Sequence, residues 1–168
     1  MNRRQFIVTS ALTLRPALTH ADESIVQALK QAKFQIYANA KGYCEGPTWV
    51  EGEVFFCCDG LLRVDKSGRV SRHLDLQPAG TFLGGKQTLL ICDNKHKGIL
   101  RFSLNGKLEV LADRFAGKPL RSLNDLTLDA CGNIYWTDPV GSSVNKPVGH
   151  VFRLRPDGRV DRVATGLA

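Results

Sequence analysis

One phrase occurs three times in this chain, and it limits the fold more than any other feature. An arginine is followed five residues later by a glycine and then by an aliphatic residue: Arg63, Gly68 and Val70; Arg101, Gly106 and Leu108; Arg153, Gly158 and Val160. Each copy follows an apolar stretch that ends in aspartate, at Asp59, Asp93 and Asp138. Turn residues set between short β-prone runs read as hairpins. Self-similarity at a period of a few tens of residues reads as a repeat architecture. Each repeat predicts a four-stranded antiparallel sheet, and a series of such sheets predicts an all-β fold of the β-propeller type. The units run over about 45–76, 79–113 and 124–167. Propellers close with about four or more blades, so three units predict a partial ring with an apolar blade face left open, a surface for self-association.

The segment before the repeats has a different character. Arg3 and Arg4 precede a short apolar stretch from Phe6, and Thr19 to Ala21 offer a small-residue cleavage site. Residues 1–21 therefore read as a twin-arginine-type export signal, which places the protein in the periplasm or outside the cell. Without export it is cytoplasmic. Residues 22–41 read as a packing segment or lid, with a short helix around 24–32 and a strand around 34–37. No apolar run approaches the roughly 20 residues of a membrane span. The net charge of +7 falls to 20 basic against 16 acidic residues after residue 21. These charges are scattered along strands and turns, which suits solvated faces and predicts no nucleic-acid partner.

Five cysteines, Cys44, Cys57, Cys58, Cys92 and Cys131, show no metal-binding spacing. Cys57 and Cys58 are adjacent on a strand and point to opposite faces. Cys58 and Cys92 each precede a strand-final aspartate and read as small buried strand residues. No histidine occupies a repeat-equivalent channel position, and His96 reads as an exposed loop residue rather than a base.

The strand-final aspartates also serve as a ruler. Fourteen residues before Asp59, Asp93 and Asp138 stand Glu45, Ala79 and Asn124. These positions open the innermost strand of each unit, where a propeller looks into its central channel. The repeating aspartates read as residues that hydrogen-bond a turn; the varying position is free to carry function. A carboxylate and an amide oxygen on one axis suit a hard cation such as Ca²⁺. The stretch 79–87, with Gly80, Gly84 and Gly85, reads as a poor inner strand, and unit one looks compressed between Cys58 and Arg63.

At these residues the chain resembles the senescence-marker-protein/gluconolactonase (regucalcin-type) family. Cys44 to Trp49 is similar to its Glu-Gly-Pro-x-Trp opening, and Asn124 to Pro139 to its Asn-Asp-Leu block with a Thr-Asp-Pro ending. Gly149 to Leu167 is similar to the hairpin that follows, so the resemblance covers about 42–167. It implies a six-bladed propeller with a divalent metal in the channel, Ca²⁺ first and Zn²⁺, Mn²⁺ or Mg²⁺ as alternatives. It implies hydrolysis of a small sugar lactone, with Glu45 as metal ligand and Asn124 at the metal or the substrate. Arg121 either reaches a sugar oxygen or pairs with an acid at the rim. The family's further ligands lie beyond the matched residues, so the chain is expected to be its N-terminal half, weakly active or inactive alone. The alternatives are a non-enzymatic propeller that serves as a binding platform, or an inactive partial product.

Overall fold

The computed structural model describes residues 20–33, 36–139 and 141–168. Two units divide between Ile36 and Tyr37. In the first, α1 spans His20–Gln31, with Lys30 in its last turn, where a cation complements the helix dipole. The segment read as an export signal lies outside the described residues up to residue 19, and so do residues 34 and 35 of the expected strand. Ile36 and Tyr37 are not in a strand. Among the described residues no helix is long and apolar enough to cross a membrane.

The second unit is all β. Its first sheet contains β1 (Glu45–Val50), β2 (Glu53–Cys58), β3 (Gly60–Val64) and β4 (Val70–Leu74). The second contains β5 (Pro78–Gly85), β6 (Thr88–Asp93), β7 (Gly98–Ser103) and β8 (Leu108–Ala112). A two-stranded hairpin follows, β9 (Arg114–Phe115) and β10 (Lys118–Pro119), and then β11 (Leu126–Leu128), β12 (Ile134–Asp138), β13 (Gly149–Leu154) and β14 (Val160–Leu167). Each four-stranded sheet pairs its strands in chain order, all antiparallel. This is the blade of a propeller-type fold.

The repeated phrase builds the outer hairpin of each blade. The Gly68 N–H donates to the Asp65 carbonyl at 2.9 Å, Gly106 to Ser103 at 2.8 Å and Gly158 to Arg155 at 3.0 Å. These glycines sit at φ of +81°, +98° and +85°, a region that glycine enters without a Cβ penalty. The repeated arginine pairs across strands: Arg63 with Glu53 at 3.5 Å, Arg101 with Glu109 at 3.6 Å and Arg153 with Asp161 at 2.8 Å.

Blade two is buried on both faces, so its strand β6 is apolar at four successive positions, Leu89 to Cys92, rather than at alternate ones. On β6, Leu89 and Ile91 pack with Val50, Phe55 and Leu61 of blade one. Leu90 and Cys92 pack with Leu126, Ile134, Trp136 and Phe152 of blade three. Each such side chain contributes about 1.5–3 kcal/mol on burial.

Three expectations need correction. Asp93 and Asp138 are buried and accept backbone N–H groups, from Gln77 and His96 in one case and Arg121 in the other. Asp59 does not: its carboxylate is exposed and pairs with Arg72 at 2.6 Å. Cys58 pairs with Gly60 across a one-residue gap, so the tight turn takes the aspartate that the other blades bury. By pairing register, Cys57 and not Cys58 is the counterpart of Cys92, since Glu45 faces Cys57 while Gly80 faces Cys92. His96 is where it was expected, exposed in the turn between β6 and β7, with its Nδ1 2.5 Å from Asp93 Oδ2. The glycine-rich stretch forms β5 in full, because a Cβ on Gly84 would lie 2.9 Å from Leu90 Cγ.

Candidate active site

The three inner strands meet at their first residues. A Cβ on Gly46 would lie 3.0 Å from the Thr81 nitrogen and 3.1 Å from the Gly80 Cα. A Cβ on Gly80 would lie 2.6 Å from the Asn124 carbonyl oxygen and 2.8 Å from Asp125 Oδ1. Gly46, Gly80 and the Asn124–Asp125 pair therefore stack backbone on backbone, at a separation that only glycine permits. The buried hydroxyls of Thr48 and Thr81 add a hydrogen bond of 2.7 Å between β1 and β5, and Thr81 Oγ1 donates to the Gly46 carbonyl at 2.5 Å.

This stacking places Glu45 of blade one and Asn124 of blade three at the same end of the blade stack, on either side of Gly80 of blade two. Glu45 is half-buried, and its Oε2 accepts the Tyr43 hydroxyl at 3.3 Å. Asn124 is exposed, just before β11, held by its N–H to the Thr137 carbonyl at 3.0 Å. Asp125 was missed by sequence reasoning. Thr137 holds its backbone on both sides, with the Asp125 N–H donating to Thr137 Oγ1 at 3.1 Å and the Thr137 N–H to the Asp125 carbonyl at 3.0 Å. Asp125 Oδ1 accepts the Leu126 N–H at 2.9 Å, which fixes the carboxylate over Gly80.

The electrostatics agree with two carboxylates at one place. Burial pushes the Cys57 thiol up to about 12, and the charges of Glu45 and Asp125 add to it. The Cys92 thiol is raised for the same leading reason, with Asp125 again contributing. Buried neutral thiols of this kind are poor nucleophiles. Glu45, Asn124 and Asp125 instead offer oxygen donors, which suit a hard cation in kind. They do not suit it in number. Ca²⁺ takes about six to eight oxygens, and among the described residues no three His, Cys, Asp or Glu side chains converge as a cage.

Arg121 lies elsewhere. Its Nε is 3.7 Å from Asp138 Oδ2, and it lines a cavity of about 500 Å³ between the β9–β10 hairpin and blade three, together with Lys118, His150 and Arg162. Burial and then the charges of Arg162 and Arg121 hold the His150 imidazole below its ordinary range.

The chain matches the family described as SMP-30/Gluconolactonase/LRE-like region over residues 43–168. A gluconolactonase of Zymomonas mobilis is 27% identical, with 80% of this chain and 46% of that protein covered. A candidate gluconolactonase solved by structural genomics is 26% identical with a TM-score of 0.67, covering 78% of this chain and 51% of that one. A gluconolactonase of Xanthomonas campestris, described as important in glucose secondary metabolic pathways, is 29% identical with a TM-score of 0.63, covering 74% of this chain and 48% of that one. The chain spans about half the length of the relatives it matches.

Proposed function

Because the chain belongs to the SMP-30/gluconolactonase/LRE-like family, we propose that it contributes to a divalent-metal-dependent hydrolase of a small sugar lactone, built on a six-bladed propeller. The observation that carries this reading is the stacking of Gly46, the residue after Glu45, on Gly80, and of Gly80 on Asn124 and Asp125. Glu45 and Asn124 are the residues that would hold the metal, Ca²⁺ by preference for oxygen donors. A bound ion of this kind polarises a lactone carbonyl and lowers the pKa of a water. The protein's own part is positional. Tyr43 orients the Glu45 carboxylate, and Thr137 fixes the backbone of Asn124 and Asp125. Asp125 would add a second negative charge beside an ion held there, and Arg121 pairs with Asp138.

Two or three oxygens leave a cation mostly hydrated, so this chain alone should bind Ca²⁺ weakly and open gluconolactone little above background. A protein extended to the length of its relatives should turn over substrate, and Glu45→Gln should then cost far more activity than Asp93→Asn. Asp93 serves the Gln77–His96 turn and not the site. Titration calorimetry with Ca²⁺ and a lactone-opening assay on both lengths test this. Equal losses from the two substitutions would refute the assignment of Glu45. Brisk calcium-dependent turnover by the short chain would refute the claim that its donor set is incomplete.

A further inference from the structure

Cys44 and Cys58 face each other across the first two strands of blade one. Glu45 pairs with Cys57 in the β1–β2 register, so the next step outward sets Cys44 opposite Cys58. Directly opposed residues of an antiparallel pair have Cα atoms about 4.5–5.5 Å apart. That lies inside the span of about 4.4–6.8 Å that a disulfide bridges. Both thiols also rest on one turn. Cys58 Sγ donates to the Lys41 carbonyl at 3.2 Å, and Cys44 Sγ to the Gly42 carbonyl at 3.8 Å. Gly42 is at φ +107°, and a Cβ there would lie 3.4 Å from Cys58 Sγ.

We propose that Cys44 and Cys58 are a redox pair that closes into a cross-strand disulfide beside Glu45. The other cysteines are placed differently. Cys57 and Cys92 are buried in the blade cores, and Cys131 is exposed on the β11–β12 turn of blade three. Cys44 is exposed and Cys58 half-buried, so an oxidant reaches Cys44 first.

The oxidant is a low-molecular-weight disulfide such as oxidised glutathione. The Cys44 thiolate attacks one of its sulfurs, forms a mixed disulfide and releases one thiolate. The Cys58 thiolate then attacks the Cys44 sulfur, forms the protein disulfide and releases the second. Two protein thiols are oxidised, one reagent disulfide is reduced, and both thiol protons end on the two released thiols. Closure ties the residue before Glu45 to β2 and so fixes the start of β1. The proposal stands on the β1–β2 geometry alone and does not depend on the hydrolase reading.

The full chain is equilibrated with oxidised glutathione, quenched, denatured and titrated for free thiols. The count should fall from five to three, and the mass by two hydrogens. Cleavage after Glu45, Glu51, Glu53 and Arg63 separates Cys44 from Cys57 and Cys58; fragmentation between those two should place the link on Cys58. Cys57→Ser should keep the link and Cys44→Ser abolish it. The unfolding midpoint should rise on oxidation of the wild type and not of Cys44→Ser. Five free thiols, a link to Cys57, or dimers joined through Cys131 would each overturn the proposal. If Cys57→Ser fails to fold, the fragmentation of the wild-type peptide decides alone.

Discussion

Gly80 shows how much one absent methyl group governs at the residue scale. Its backbone is in the ordinary region, so its identity is not a matter of φ. A Cβ there would press on the Asn124 carbonyl and the Asp125 carboxylate at 2.6 and 2.8 Å, and the first of these is backbone that cannot swing aside. Gly80→Ala must push the start of β11 away from β5. The expected cost is about 1–3 kcal/mol, typical of overpacking. It should fall partly on the site, because Asn124 and Asp125 move with the displaced backbone. Gly106→Ala is the control: it has a positive φ of +98° but open space around it, so it should cost stability through backbone strain without disturbing Asn124. Denaturation midpoints and the amide shifts of Asn124 and Asp125 separate the two. Unchanged shifts in Gly80→Ala would show that the contact is not what positions the pair.

At the scale of elements, the β4 residue His73 links blades one and two. Its ring lies edge-on between Phe55 and Phe102, with centroids 5.2 Å from each. Burial, and then the Arg63 charge, lowers its pKa below the ordinary 6.5, with Glu53 opposing. The folded chain therefore takes up this proton at lower pH than the unfolded chain does. Stability is untouched well above pH 6.5 and falls as pH drops through that value toward the folded pKa. His73→Phe keeps the aromatic contact and removes the titration, so its melting temperature should change less between about pH 7.5 and 5. Parallel slopes for the two proteins would show that protonation at this interface is not felt. The same interface shows what the sequence makes legible. The four-stranded sheets are readable because strand alternation and the arginine-to-glycine turn recur with fixed spacing. The β9–β10 hairpin is not readable, because its strands are two residues each, with Pro119 in one and Ala116 at positive φ in the turn. Asp59 misleads because unit one turns directly from Cys58 to Gly60, and only pairing reveals the shift. Asp125 was hidden because β11 is only three residues long. Alternation cannot tell which of Asn124 and Asp125 faces the neighbouring blade until Gly80 is seen beneath them.

Across the whole second unit, the two ends of the blade stack are finished differently. Repeat folds bury each unit against its neighbours, so a terminal face needs a cap. Blade one has one: residues 37–44 line a cavity with Val54, Phe56, Val64 and Val70, and the Tyr37 hydroxyl donates to the Asp65 carbonyl at 3.0 Å. Phe56 is left only 8% exposed. On blade three, the alternation that turns Trp136 and Phe152 toward blade two turns Tyr135, Thr137 and Val151 the other way. With Thr127 they line a shallow cavity of about 230 Å³, and Val163 and Leu167 of the adjacent β14 are also exposed. A face of this kind, mixing apolar carbon with side-chain hydroxyls, favours a partner surface. The 168-residue chain should therefore associate with itself as its concentration rises. Val151→Lys sets an ammonium in the middle of that face, where burial against a second copy would strip its water. It should shift the equilibrium to monomer without lowering the melting temperature measured at low concentration. Sedimentation velocity across a dilution series of wild type and variant reads both effects. A wild type that stays monomeric throughout, or a variant that associates equally well, would rule out this face as the contact.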